Sequence, residues 1–217
     1  MKEFKHLPGL DLIRVFGILV VVFYHYQVET AVRGLCPADF LPAMEPLVQV
    51  AVYTMTLLSG SCLCWQEKSR SWSMKRYLWG RFLAIYPLFW LCFFPIFIYS
   101  DIICGNNEGV APWKLLLSIV GVDGYFQSFT PTFYKIGEWY LGCILFLYAV
   151  FPVLWRMIRR RGVVFAAVGA LFAWLACCFV ENPGQLYPTL IGQLPLFFMG
   201  SFLGGCLPSL WIPGILA

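Results

Sequence analysis

Apolar runs of about twenty residues, parted by short polar stretches, recur along the whole chain. The first lies within 6–26, HLPGLDLIRVFGILVVVFYHY, and further runs cover about 47–65, 82–99, 139–155, 163–180 and 189–207. A bilayer core of about 30 Å takes roughly twenty helical residues, so the pattern predicts about six membrane-crossing helices. Pro87 and Pro95 fall inside the third run, where neighbouring helices re-satisfy the freed backbone groups. The run 112–122 is too short for a span and reads as re-entrant or interfacial. Glycines at 192, 200, 204 and 205 mark the last run as one that a neighbouring helix approaches closely. The predicted fold is all-α, a polytopic transmembrane bundle forming a single domain over residues 1–217.

Composition removes the soluble alternatives. Hydrophobic residues make up 60% of the chain and charged residues 12%, against about 45–50% and 25% in soluble domains, and the mean hydropathy is +0.76. Aromatic residues at 18% suit interfacial belts. The net charge of +4 is no footprint for nucleic acid, because the basic residues gather between spans. Lys2 and Lys5, the group Lys68, Arg70, Lys75, Arg76 and Arg81, and the group Arg156, Arg159, Arg160 and Arg161 hold most of the Lys and Arg. The positive-inside rule places all three groups, and the amino terminus, in the cytoplasm. Only one crossing then fits between Asp101 and Arg156, so 112–122 should not span, and tags near Asn107 and Gln127 should report one side.

The nine cysteines show no CxxC pair and no histidine-flanked cluster. They read as small packing residues, with no metal site and no disulfide framework. Asp11 and Arg14 interrupt the first apolar run and no small-residue cleavage site follows, so that run is expected to be a retained helix rather than a leader. The carboxy-terminal IPGILA opens an apolar segment that nothing polar closes, so the expectation is either a fragment or a last helix only half there.

The first run carries the candidate chemistry. Arg14 and His25 are eleven positions apart, three helical turns plus about 20°, so they share a face at an axial separation of roughly 16 Å. Asp11 stands one turn before Arg14, within i,i+3 pairing reach, and Ile18 and Val21 fill the face between. Charges on a membrane helix mark a functional site by default; the competing reading makes Asp11 and Arg14 end-of-span anchors and His25 interfacial. Histidine suits general-base work near neutral pH. Lys75, Arg76 and Arg81 suit phosphates or serve topology alone. Ser59 and Gly60 place a hydroxyl and a small residue inside the second span, for substrate or for helix packing with the hydroxyl bonded back to its own helix. Glu138, beside Trp139 at a span's start, reads as interfacial.

In that setting the chain resembles the acyltransferase-3 family of integral-membrane O-acyltransferases. The resemblance rests on Gly9-Leu10-Asp11-Leu12-Ile13-Arg14 with the Arg14…His25 spacing, on Leu57-Leu58-Ser59-Gly60, and on Arg81 to Pro87. Trp139-Tyr140-Leu141 with Tyr148 and Pro152, and the run 195–205, complete it in the right order. Ala84 replaces a frequent second arginine, Ser61 a usual aromatic, and Ile144 a glutamate that many members carry, which puts the chain nearer the polysaccharide-modifying members. The resemblance implies transfer of an acetyl group from acetyl-CoA to a hydroxyl on an extracytoplasmic glycan or similar acceptor, at the plasma membrane. It implies His25 as base, Arg14 together with Lys75, Arg76 and Arg81 on the donor, and Asp11 orienting Arg14. Family members have about ten spans, so this chain would cover the amino-terminal part. The competing readings are a transporter or flippase-like protein, with the charged stripe lining a path, and an inactive remnant.

Overall fold

The computed structural model describes residues 8–35, 37, 41–68, 71–106, 109–126, 129–135, 139–179 and 189–210, without the side chains of 161, 163–167, 170, 172–179 and 206–210. Its regular elements are helical, as the apolar pattern predicts. They are α1 (Pro8–Val32), α2 (Leu41–Lys68), α3 (Met74–Phe97) running into a π-helical turn (Ile98–Ile103), a 3-10 turn (Pro112–Lys114) leading into α4 (Leu115–Val120), α5 (Asp123–Phe126), α6 (Trp139–Phe179) and α7 (Leu190–Leu210). Among the described residues four helices are long and apolar enough to cross a membrane: Pro8–Val32, Leu41–Lys68, Met74–Ile103 and Trp139–Arg160. A shorter apolar helix covers Leu190–Gly205.

Several boundaries differ from the pattern. Helix α3 begins at Met74, so Lys75, Arg76 and Arg81 are helical rather than loop residues. The extended Ser73 sets that start: its Oγ accepts from the Arg76 N–H at 3.5 Å. Helix α6 runs unbroken through the arginines that the pattern assigns to a turn between two spans. Arginine is a good helix former, and the lone Gly162 costs only about 1 kcal/mol, so nothing local forces a reversal. Helix α4 has six residues, a rise of about 9 Å, and closes on Gly121 in the left-handed region at φ 79°. It is too short to cross.

The chain divides into two compact units, Met1–Arg70 with Leu154–Ala217, and Ser71–Val153. In the first, α1 packs on α2 through Val20, Val48 and Ala51, with Val21 and Tyr24 against them, and Gly17 lets Met55 within ordinary contact. The tighter seam is α2 against α7. A Cβ on Gly60 would overlap the Phe197 carbonyl, one on Gly200 the Leu57 carbonyl, and one on Gly204 the Ser61 carbonyl. The spacing of small residues in the last apolar run serves this approach, as expected. Polar bonds tie the same seam: Thr56 Oγ1 donates to Gln193 Oε1 at 2.7 Å, both side chains fully buried, and Ser61 Oγ donates to the Gly200 carbonyl at 2.9 Å. In the second unit, Phe89, Phe93 and Phe133 form an aromatic core with Tyr86, Trp90 and Phe97 around it.

Candidate functional site

The amino-terminal turn of α1 builds the first constellation. Proline is tolerated at Pro8, where its missing N–H would be unpaired anyway, and Asp11 in the first turn complements the helix dipole. One turn on, Arg14 Nη1 donates to Asp11 Oδ1 at 3.1 Å, and Nη2 donates to Cys62 Sγ on α2 at 2.8 Å. The two branches of the guanidinium thus hold two helices. Both members of the ion pair are part-exposed, with side-chain exposures of 38% and 42%, so the charge stays accessible. The i,i+3 pairing is the one the spacing predicts. Cys62 is a correction: taken as packing, it is the second partner of Arg14. No sequence pattern marks it, because its role depends on the α1–α2 register.

Three turns deeper the stripe changes surroundings. Val21 packs against α2, whereas Ile18 and His25 are exposed. The imidazole makes an edge contact with the Tyr24 ring, centroids 6.0 Å apart. His25 therefore stands on an open flank of α1, not in the interior that a charged membrane stripe suggests. The axial distance from Arg14 stays near 16 Å. No single small group touches both.

Ser59 takes the packing role: its Oγ donates to the Met55 carbonyl of its own helix at 2.8 Å, and Gly60 is the close-approach point against α7. In the second unit, Trp139 opens α6 with its ring edge-on to Tyr140 at 5.7 Å, and its backbone lies where a Cβ on Gly124 would fall. Glu138 lies outside the described residues.

The expected donor group does not share one face. At about 100° per residue, Lys75, Arg76 and Arg81 leave α3 in three directions. Lys75 is exposed and Arg76 half-buried, while the Arg81 guanidinium lies 5.6 Å from the centroid of the Tyr148 ring on α6. Tyr77 Oη fixes the same contact by donating to the Tyr148 carbonyl at 2.7 Å. Lys75 and Arg76 occupy the first turn of α3, where the dipole disfavours cations and favours an anion.

Two buried carboxylates in this unit escape the sequence reading. Asp101, in the π-helical turn, pairs with Lys135 at 3.0 Å with side chains 3% and 18% exposed, and Lys135 also donates to Ser100 Oγ at 3.3 Å. Asp123 is fully buried, and neither of its oxygens completes a hydrogen bond among the described residues. Burial pushes its carboxyl above the usual range, against a smaller downward pull from the Ser118 hydroxyl and the backbone of its own turn. No group of three or more His, Cys, Asp or Glu among the described residues could hold a metal ion.

Comparison with known proteins meets this geometry. Residues 7–213 match the family model described as an acyltransferase domain. The acyltransferase MdmB of Streptomyces mycarofaciens is 26% identical over 224 residues, covering 96% of this chain and 54% of that protein. The chain thus spans about half the length of the curated relative it matches. No solved structure matches.

Proposed function

The chain belongs to the acyltransferase-3 family; on that premise we propose that it is a membrane acyltransferase that moves an acetyl group from acetyl-CoA to a hydroxyl of an extracytoplasmic glycan or similar acceptor. The observation that carries this reading is the spacing of Arg14 and His25, about 16 Å along one helix. A long acyl-CoA spans such a gap, with anionic groups at one end and a thioester at the other. Arg14, clamped by Asp11 and Cys62, holds a fixed positive charge for the donor. Lys75 and Arg76, in a helix turn already favourable to anions, suit phosphates. Arg81 is the weaker candidate, since it lies over Tyr148.

His25 acts as general base. Its imidazole takes the proton of the acceptor hydroxyl, the oxygen attacks the thioester carbonyl, and the carbon–sulfur bond breaks. The CoA thiolate leaves and is protonated, so one ester forms for each thioester lost. The exposed flank on which His25 stands gives an acceptor access. The amino terminus lies in the cytoplasm, where the donor is made, and His25 faces the outer half of the plasma membrane.

The test is transfer from radiolabelled acetyl-CoA in membranes carrying the protein or its His25→Ala variant. Loss of transfer in a variant that still inserts supports the base assignment. Transfer by His25→Ala at the wild-type rate removes it. Absence of transfer by the wild type, folded and supplied with hydroxyl acceptors, favours the transporter or remnant reading.

A further inference from the structure

The arginines of α6 are not absorbed by the acyl-transfer reading. Arg156, Arg159 and Arg160 are all exposed, and at 3.6 residues per turn they fall within an arc of about 100°. Helix α6 carries no Asp or Glu between Trp139 and Phe179, so no acid on this helix offsets them. They follow an exposed stripe in helical steps: Phe146 (48% exposed), Ala149 and Val153 (61%) come first, then Arg156 and Arg160. An apolar flank that turns basic after about 26 Å from Trp139 matches a flank that leaves a hydrocarbon core of about 30 Å.

Two other helices bring a further cation to the same level. Lys68, the last residue of α2, donates from Nζ to the Gly205 carbonyl of α7 at 2.7 Å. Ile158, between the arginines, lies 3.1 Å from the position of a Cβ on that same Gly205. Arg159 is steadied 5.9 Å from the centroid of the buried Trp155 ring. Glu67, next to Lys68, is buried. The cations therefore sit exposed at the surface.

We propose that Lys68, Arg156, Arg159 and Arg160 form a binding site for the phosphate headgroups of anionic phospholipids, fixing the depth of this helix in the leaflet. The site is independent of acyl transfer. A basic residue near an anionic leaflet contributes enough to shift headgroup affinity roughly five-fold. Guanidinium groups suit phosphate because they donate two parallel bonds.

The test places the protein in nanodiscs of phosphatidylcholine alone or mixed with phosphatidylglycerol. It compares wild type, a variant with Arg156→Gln, Arg159→Gln and Arg160→Gln, and one with the same three arginines changed to Lys. Thermal unfolding and native mass spectrometry of retained lipid are the readouts. The expected result is a higher melting temperature and retained phosphatidylglycerol in the wild type, largely lost in the Gln variant and kept in part in the Lys variant. Should the Gln variant not insert, the wild type alone decides: moderate salt should strip its phosphatidylglycerol. An equal phosphatidylglycerol effect in wild type and Gln variant, or none in the wild type, overturns the proposal. So does weaker acetyl-CoA binding by the Gln variant in pure phosphatidylcholine, which would assign the arginines to the donor.

Discussion

Gly200→Ala at the α2–α7 seam is the substitution whose cost the structure fixes best. A Cβ there would fall on the Leu57 carbonyl, 2.8 Å from its carbon and 3.0 Å from the Leu57 Cα, so only backbone could yield. Backbone does not swing aside as a flexible side chain does, and the helices would have to part. Overpacking of this kind costs about 1–3 kcal/mol. Parting also weakens the bond from Ser61 Oγ to the Gly200 carbonyl, now 2.9 Å, worth about 1 kcal/mol. The expected loss is about 2–4 kcal/mol, a large share of a typical 5–15 kcal/mol. Gly162→Ala is the control: a Cβ there meets nothing within 4 Å on a helix, so it should stabilise by up to about 1 kcal/mol. Reversible unfolding in detergent, followed by tryptophan fluorescence, reads both. A Gly200→Ala protein within about 0.5 kcal/mol of wild type would refute the close approach.

Lys135→Met strands the buried Asp101 carboxylate and should cost about 3–5 kcal/mol; adding Asp101→Asn should recover most of it, and equal stability of single and double variants in the same unfolding assay would deny the pair. The raised carboxyl of Asp123 keeps its proton in the folded state when the unfolded chain has lost it. Wild-type stability should therefore fall as pH rises from about 4 through the raised folded value, while Asp123→Asn stays flat over that window; parallel pH profiles of melting temperature would count against it. Cys62→Val removes one bond to Arg14 and should lower kcat/KM for acetyl-CoA roughly tenfold, while Cys62→Ser, which keeps an acceptor, should restore most of it. Equal rates for the two variants would deny Cys62 its positioning role.

Hydrophobic periodicity made the helices legible because a membrane helix must be apolar for about twenty residues whatever its partners. The same signal could not see α6 continue past Arg156, because arginine is as compatible with a helix as with a turn. The Asp11–Arg14 pair was legible because both residues lie on one helix, where spacing determines contact. Cys62 was not, nor was Lys135 opposite Asp101, since each pairing joins residues far apart in the chain. Lys75, Arg76 and Arg81 look like one cluster in the sequence, yet helical geometry spreads them around α3.

The account's central claim is transfer of an acetyl group, and isotope-labelled acetyl-CoA tests it most directly. Membranes carrying the protein would be incubated with the labelled donor, and the glycan fraction searched by mass spectrometry for a labelled, alkali-labile ester. The account predicts that ester in wild-type membranes, with one free CoA thiol released per ester, and its loss in Arg14→Ala membranes. Wild-type protein that is folded and inserted, yet leaves the acceptor unlabelled and the donor intact, would contradict it.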